Sequence, residues 1–336
     1  MIGIERTSIY EPETIETAAE LAIKTTIPEQ VIQEKFGLYE KRIALESMHA
    51  SDLAIAAGKK ILEEVDPAVI DVVIYFGSPF KDYQVWTASS KIQYELGTTN
   101  AYAFEMMNVS SCFPLAVKVA KDMLASDRGI NNILLVGGSK ESQIINYDNP
   151  RARFMFNFAD GGAAALVSRN ASKSEILASS ILTDGSFSKD VLVPGGGTVH
   201  PVSTEVVENN MQYIDVPDPT GMKERLDPVS IPNFEKVIKR SLEKSGVSLH
   251  DLKVLLPLHT KKSMFNQILE KLDLEEKQAI YLTHHGHMSA LDPCYGLYLA
   301  EKEGLLQKGD IAVMVTAGTG YTWAATALRW FGSSLL

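Results

Sequence analysis

The sequence predicts an α/β fold built from two similar halves with mostly parallel sheets. Apolar strand-like segments alternate with segments of helical spacing, an order typical of sheets covered by helices. The same succession of helix, strand, helix, strand, helix and strand occurs twice along the 336 residues. Strands 72–75 and 254–258 begin 182 residues apart, and strands 133–136 and 311–315 begin 178 residues apart. This nearly constant offset predicts an N-terminal half, 1–172, and a C-terminal half, 173–336.

The elements of the first half follow from apolar periodicity and from helix-end signals. In order, they are a strand at 1–10, helices at 18–24, 28–36 and 51–64, a strand at 71–77, a helix at 86–96, a strand at 101–107, a helix beginning at Cys112, a strand at 132–137, and a turn and strand within 154–168. Gly37 is placed to end the second helix.

The second half repeats the pattern after a long irregular stretch. Its predicted elements are a strand at 175–184, a glycine run at 195–197, a long loop or cap at 211–232, a helix at 230–244, a strand at 253–258, a helix at 264–272, a strand at 279–283, a helix at 294–303, a strand at 311–316, and a glycine turn and strand within 318–328. The loop is predicted from its content of Pro and Asp.

Composition excludes several classes of protein. With 45% hydrophobic and 22% charged residues the chain has the composition of a globular protein, and its formal charge of −10 argues against general nucleic-acid binding. Two cysteines do not make a disulfide framework. The first ten residues lack the pattern of a signal peptide, and no apolar run approaches the length of a membrane span. We therefore expect a cytoplasmic protein.

Cys112 is the candidate nucleophile. It lies between a predicted strand and an amphipathic helix, and either Ser110 or Ser111 could cap that helix. A thiol at a helix N-terminus is expected to have a lowered pKa and a reactive thiolate. The alternative is a buried structural cysteine, which is the reading that we favour for Cys294.

Histidines of the second half are predicted to meet Cys112. Ligands of such folds collect beyond the carboxyl ends of strands. His259 follows one strand, and the cluster His284, His285 and His287 follows the next. A zinc site is the alternative for the cluster, but it has no carboxylate or cysteine at ligand spacing.

Several motifs in this chain resemble those of the thiolase superfamily, and within it the β-ketoacyl synthase III type of condensing enzyme. GLYEKRIA is similar to the family segment GIxxRRIA, FADGGAAALV to FGDGAGAVVL, and GTGYTWAATALRW to GGGxTWGAxLVRW, while SCFP fits the nucleophile turn. The motifs occur in the family's order across nearly the whole chain. 3-Hydroxy-3-methylglutaryl-CoA synthase has a similar opening, but the segment SPFKDYQVWTASS offers no counterpart of its catalytic glutamate.

The resemblance implies a five-layered thiolase fold, a homodimer and an acyl-cysteine intermediate. It implies that Cys112 accepts the acyl group, that His259 is the first imidazole, and that the backbone N–H of Gly320 stabilises the oxyanion. His287 stands where the family has asparagine, which resembles the Cys-His-His set of the ketosynthase I and II branch. A neutral imidazole there could donate a hydrogen bond or act as a base.

At several positions where the family contacts its substrate, this chain has a different residue. A tryptophan expected to stack on the adenine of CoA falls at Val31, although Lys35 keeps a nearby positive charge. The family's CoA-contacting arginine falls in the stretch Arg151–Arg153, in which Arg151 is our candidate. The run Lys261–Lys262, in which Lys262 stands where a second asparagine is expected, is a candidate phosphopantetheine contact. These replacements favour a carrier-protein thioester over acyl-CoA as the donor.

We expect an acyl-thioester condensing enzyme that performs decarboxylative Claisen condensation. Its substrates would be thioesters of CoA or of an acyl carrier protein, with no permanently bound cofactor and no metal. Two alternatives stay open. One is an acyltransferase that passes the acyl group to a small alcohol or amine, and the other is a non-catalytic partner subunit of a ketosynthase.

Overall fold

The computed structural model describes residues 1–332 and contains two mixed sheets, separated by two central helices. The strands of the first sheet are β1 (Gly3–Tyr10), β4 (Val72–Tyr75), β5 (Tyr102–Glu105), β6 (Asn132–Lys140) and β7 (Asp160–Ser168). Their spatial order is β1–β7–β6–β4–β5. The pairs β6–β4 and β4–β5 are parallel, and the pairs that involve β7 are antiparallel. All four residues of β4 are buried, as expected of a strand covered on both faces.

The second sheet contains the remaining long strands. They are β8 (Ser174–Thr183), β9 (Leu252–Pro257), β10 (Ile311–Gly318) and β11 (Thr322–Trp330). The order is β8–β11–β10–β9, with β9 and β10 parallel and the other pairs antiparallel. A small antiparallel ribbon is formed by β2 (Thr14–Thr17) and β3 (Glu40–Ile43). The first sheet ends at Ser168 and the second begins at Ser174, so the predicted boundary at 172 falls in the connection between them.

The helices form three layers around the two sheets. They are α1 (Ala18–Thr25), α2 (Glu29–Val31, continued by a π-helical turn to Phe36), α3 (Ala50–Leu62), α4 (Ala88–Glu95), α5 (Cys112–Ser126), α6 (Thr204–Glu208), α7 (Pro219–Lys244), α8 (Lys262–Leu272) and α9 (Asp292–Lys302). Helix α3 covers the first sheet and α7 covers the second, while α5 and α9 contact strands of both sheets. The predicted α/β fold with five layers and two similar halves is therefore confirmed.

Helix α7 differs from the sequence prediction, which placed a long loop at 211–232. The helix already begins at Pro219, and the Asp218 carboxylate caps it by accepting from the N–H of Gly221 at 3.0 Å. Pro228 and Pro232 lie inside it and each removes one backbone donor. Burial of one helix face offsets this loss. The buried residues of that face are Met222, Leu226, Ser230, Phe234, Val237, Ile238, Ser241 and Leu242.

The strand predicted at 279–283 is also absent. This segment runs beside β9 but makes only one isolated bridge, from Ala279 to Leu255. It then turns into the histidine cluster. Among the residues that the structure describes, no helix is both long and apolar enough to cross a membrane.

Candidate active site

A cavity of about 1290 Å³ is lined by residues of both halves. Three of its lining residues carry side chains that can do acid–base or nucleophilic chemistry together. Ser110 precedes helix α5, His287 precedes helix α9, and His259 follows strand β9. The cavity therefore reaches the turns that precede both central helices.

Ser110, His287 and Asp292 form a continuous hydrogen-bonded series. The Ser110 Oγ lies 3.0 Å from His287 Nε2, and His287 Nδ1 lies 2.5 Å from Asp292 Oδ2. A carboxylate can only accept, so Nδ1 carries the proton. In the neutral imidazole Nε2 is then the acceptor, and the Ser110 hydroxyl donates to it. All three residues are buried.

The turns before α5 and α9 have the same backbone geometry. Each has a residue with positive φ, Val109 at +46° and Ser289 at +55°, followed by a short 3₁₀ turn and then the helix. Non-glycine residues rarely adopt this conformation, and surrounding contacts must hold it. One such contact is the hydrogen bond from Ser111 Oγ to the carbonyl of Thr322 in β11, at 2.8 Å.

The position of His287 is held from both halves of the molecule. Its N–H donates to the carbonyl of Asn157, and its own carbonyl accepts from the N–H of Ala159, both at 2.9 Å. The fully buried Lys41 braces this loop by donating to the carbonyls of Phe156 and Phe158, also at 2.9 Å. The GLYEKRIA motif thus contributes Lys41 as a support for the imidazole.

The charge around His287 favours its protonated form. Burial alone would lower its pKa, but the carboxylate of Asp292, through its charge and its hydrogen bond, and the charge of Glu141 raise the pKa above the ordinary value. Glu141 is buried beside the cavity, and burial raises its own pKa despite a hydrogen bond from Ser78. Asp292 is the first residue of α9, where the helix dipole stabilises a carboxylate.

His259 is a neutral imidazole with one free nitrogen. Its backbone N–H donates to Asp292 Oδ2 at 2.8 Å, and its ring Nε2 donates to the carbonyl of Phe36 at 3.2 Å. Nδ1 is buried and has no hydrogen-bond partner within the described chain. Burial lowers the pKa of His259 to about 4, and the ring stacks on Tyr281 with centroids 4.6 Å apart. His259 can therefore accept a hydrogen bond from a ligand.

Cys112 differs from its prediction in its environment. The residue is fully buried, does not line the cavity, and places Sγ 3.4 Å from the carbonyl of Met106. Burial raises the pKa of the thiol to about 12, so the expected lowering by the helix N-terminus is wrong. Cys112 as nucleophile stays a prediction that its position does not support. Cys294 is also fully buried, as predicted.

The glycine turn after β10 packs directly against the Ser110 turn. A Cβ at Gly318 would lie 2.4 Å from Ser111 Oγ and 2.6 Å from the carbonyl oxygen of Asn108. Gly320 lies in the same turn with φ of +127°, a conformation that favours glycine. Its role as an oxyanion donor stays a prediction, and its place next to the nucleophile turn is compatible with that role.

The predicted contacts to the pantetheine carrier lie at three different places. Arg151 lines the cavity and donates from Nη2 to Asp215 Oδ2 at 2.6 Å. Lys35 is exposed and outside the cavity lining. Lys262 is also outside it, ion-paired with Glu276 and 4.8 Å from the ring centroid of Tyr281. Arg153 and Lys261, which belong to the predicted stretches 151–153 and 261–262, also line the cavity. Sequence reasoning missed two further lining cations, Lys81 and Lys223.

The other two histidines of the cluster lie apart from His287. His284 is exposed and stacks on Tyr39, with ring centroids 5.7 Å apart. His285 Nε2 lies 3.1 Å from the Glu11 carboxylate. Within residues 1–332 there is no group of three or more His, Cys, Asp or Glu side chains placed to hold a metal ion.

Sequence reasoning missed Ser110 and Asp292. The sequence predicts Ser110 as a possible helix cap and Cys112 as the residue that faces the site. Successive residues of a helix turn differ by about 100° in direction, so a shift of two positions turns a side chain by about 200°. Asp292 lies five residues after His287, and an acid near a histidine can indicate a pair. Its pairing with the imidazole depends on the turn that precedes α9, which the sequence pattern does not reveal.

Comparison with known proteins identifies relatives over the whole chain. The family model of 3-oxoacyl-[acyl-carrier-protein] synthase III matches residues 104–185, and the model of the C-terminal part of that synthase matches residues 242–330. A β-ketoacyl-[acyl-carrier-protein] synthase III from Caldanaerobacter subterraneus subsp. tengcongensis is 30% identical over 331 residues, 98% of this chain and 97% of the relative. The synthase of the same name from Syntrophomonas wolfei is 30% identical and covers 95% and 94% of the two chains.

Solved structures agree with these matches. The crystal structure of 3-oxoacyl-[acyl-carrier-protein] synthase III from Aquifex aeolicus superposes with a TM-score of 0.85 at 25% identity, covering 98% of this chain and 100% of that one. The priming β-ketosynthase of the R1128 polyketide pathway, 21% identical with a TM-score of 0.86, has the same fold and covers 99% and 97% of the two chains.

Proposed function

This chain belongs to the β-ketoacyl-[acyl-carrier-protein] synthase III family of condensing enzymes, and we propose that it joins two acyl units by decarboxylative Claisen condensation through an acyl-enzyme intermediate. The observation that carries the proposal is that a candidate nucleophile, Ser110, and two imidazoles, His259 and His287, line one cavity. The alternatives of acyl transfer to a small alcohol or amine, and of a non-catalytic partner subunit, gain no support from the comparisons.

The two imidazoles suit the two halves of such a reaction. Acylation needs a base for the nucleophile and donors for the tetrahedral oxyanion. His287 supplies the base, and the backbone N–H groups at Ser110 and Gly320 are the proposed oxyanion donors. Condensation needs polar groups beside the carbonyl of the extender unit as it becomes an enolate. We assign this step to neutral His259, whose backbone N–H is fixed by Asp292 Oδ2. In the tautomer that carries the ring proton on Nδ1 instead of on Nε2, its free nitrogen becomes the donor to the extender carbonyl.

The donor is proposed to be a thioester of pantetheine, carried by CoA or by an acyl carrier protein. Five cationic side chains line the cavity and would attract the phosphate groups of the donor: Lys81, Arg151, Arg153, Lys223 and Lys261. Carrier proteins that are acidic would be attracted by the same groups. We also propose a cytoplasmic homodimer, as the family resemblance implies, and size-exclusion chromatography with light scattering tests the oligomeric state.

The experiment is a condensation assay with a panel of acyl-CoAs and acyl carrier proteins as donors and malonyl-carrier protein as extender. Mass spectrometry should detect a β-ketoacyl-carrier product and carbon dioxide release. His259→Ala should abolish the product while leaving the acyl-enzyme detectable. Acyl-enzyme formation without product from any malonyl extender, together with transfer to small alcohols or amines, would refute condensation.

Arg151→Ala and Lys35→Ala are a matched pair for the donor site, because one cation lines the cavity and the other does not. We expect KM for the CoA donor to rise several-fold in Arg151→Ala with kcat unchanged. Lys35→Ala should change KM less than twofold. Equal effects of the two substitutions would contradict the assignment of Arg151.

A further inference from the structure

We propose that Ser110, and not Cys112, is the residue that accepts the acyl group, with His287 as its base and Asp292 as the positioning residue of that base. The inference rests on the proposed acyl-enzyme chemistry and names the atom that does it. It also changes the chemical nature of the intermediate, from a thioester to an oxygen ester.

The first argument is access. Ser110 lines the cavity together with both histidines, whereas Cys112 does not line it and is fully buried. The Cys112 thiol faces the carbonyl of Met106, and no imidazole contacts it. An acyl thioester entering the cavity therefore meets the hydroxyl of Ser110 first.

The second argument is activation. A serine hydroxyl is a weak nucleophile unless an adjacent base removes its proton and a third group orients that base. The distances of 3.0 Å from Ser110 Oγ to His287 Nε2 and of 2.5 Å from His287 Nδ1 to Asp292 Oδ2 provide both. Asp292 also accepts from the backbone N–H of Met288 and of His259, so its carboxylate is fixed in place.

These three side chains account for every bond made or broken and for the proton transfers of the acylation step. The Ser110 Oγ forms a bond to the carbonyl carbon of the thioester, and its proton passes to His287 Nε2. The tetrahedral oxyanion then collapses, the carbon–sulfur bond breaks, and the leaving thiolate takes the proton from His287 Nε2. The products are an acyl ester on Ser110, a free pantetheine thiol and a neutral imidazole. The backbone N–H groups of Ser110 and Gly320 are the proposed donors to the oxyanion.

Three charged or titratable groups face His287 and set the pH range in which it acts as a base. They are Asp292 of α9, Glu141 after β6, and His259 after β9. His287 must be neutral to accept the proton, so the rate of acylation falls at pH values below the pKa of His287. Asp292→Asn removes a negative charge and should move this acidic limb to lower pH, an effect that a purely structural role would not produce.

A fluorophosphonate probe tests the nucleophile without any acyl donor. The probe phosphonylates an activated serine with loss of fluoride, and peptide mapping locates it. We expect labelling at Ser110 in the wild type, and at least a hundredfold slower labelling in Ser110→Ala and His287→Ala. Cys112→Ala is the matched control and should label like the wild type, with folding checked by thermal melting. A wild type that is not labelled at Ser110 would overturn the proposal.

Intact-mass spectrometry with acyl-CoA and acyl-carrier donors separates this proposal from the proposed function. An adduct kept in Cys112→Ala, lost in Ser110→Ala and resistant to neutral hydroxylamine is the expected oxygen ester. An adduct lost in Cys112→Ala and cleaved by neutral hydroxylamine would overturn the serine assignment while the condensing function stands. Probe labelling at Ser110 without an adduct from any donor would support the nucleophile and contradict the condensing function.

Discussion

The turns before the two central helices have one backbone geometry and two different chemistries. In the first half the positive φ of Val109 leads through Ser110 into α5, and in the second half the positive φ of Ser289 leads into Asp292 and α9. The two turns are 180 residues apart, from position 109 to position 289. The first turn provides a hydroxyl, and the second provides a carboxylate with its imidazole, His287.

This difference shows how a repeated fold can divide one reaction between its copies. The turns before both helices reach the same cavity through Ser110 and His287, and the N-terminal end of each helix favours negative charge. At α9 that charge is permanent, in the carboxylate of Asp292. At α5 it would appear only in the transition state, as the oxyanion. The site is complete only where the two halves pack together.

Removing the imidazole breaks the connection between the two turns and should have the largest effect. His287→Ala leaves Ser110 without a base, and we expect kcat/KM for acylation to fall about ten-thousand-fold. Stopped-flow release of the pantetheine thiol measures the rate. His285→Ala is the control, because that imidazole pairs with Glu11, and it should change the rate by less than threefold. Comparable losses in the two variants would contradict the assignment of the base.

Neutralising the carboxylate tests the second turn alone. Asp292→Asn keeps the size of the side chain but removes the charge that raises the pKa of His287. We expect acylation to slow about a hundredfold or more and the acidic limb of the pH–rate profile to move to lower pH. An acidic limb that stays in place would show that another group controls it.

Displacing the turn before α5 sterically should have an intermediate effect. Gly318→Ala introduces a Cβ 2.4 Å from Ser111 Oγ, so the turn before α5 must move. We expect a loss of about 1–3 kcal/mol in the free energy of unfolding and about tenfold slower acylation. Urea unfolding measures the first quantity. Gly185→Ala, at a position with no atom within 4 Å, is the control and should be nearly neutral.

The pH dependence of the free energy of unfolding should report the environment of His259. Its folded pKa of about 4 lies below the ordinary value of 6.5, so the unfolded chain binds more protons between these pH values. Neutral His259 makes its full contribution to the free energy of unfolding above pH 6.5. This contribution falls by at most about 1.4 kcal/mol per pH unit as the pH decreases towards 4. Urea unfolding of the wild type and His259→Gln at several pH values measures the difference. Parallel curves would contradict the burial of a neutral imidazole.

The sequence allowed the fold class, the repeat and most elements to be predicted, because apolar periodicity reports burial directly. It failed where tertiary packing overrides local preference. Pro228 and Pro232 predict a break in the helix, yet α7 continues past both because burial of one face stabilises it. The segment 279–283 has strand composition but only one bridge to β9.

The candidate site was predicted in part. His259 and His287 were placed correctly beside one cavity, because both follow strand-like segments in an α/β repeat. The register of the nucleophile turn was not available from local pattern, since Ser110, Ser111 and Cys112 are adjacent and all could face the site. In the structure Ser110 lines the cavity, whereas Ser111 Oγ donates to the carbonyl of Thr322 and Cys112 Sγ faces the carbonyl of Met106.

A hydroxyl at position 110 has a consequence for the protein's tolerance of oxidants. A catalytic thiolate is converted by peroxide through sulfenic to sulfinic and sulfonic acid, whereas a serine hydroxyl is not subject to this oxidation. Both cysteines of the chain are fully buried, and burial raises the pKa of each thiol, so neither presents the thiolate that oxidants attack. Acyl-enzyme formation on Ser110 would then continue through a peroxide exposure that inactivates a cysteine-dependent synthase.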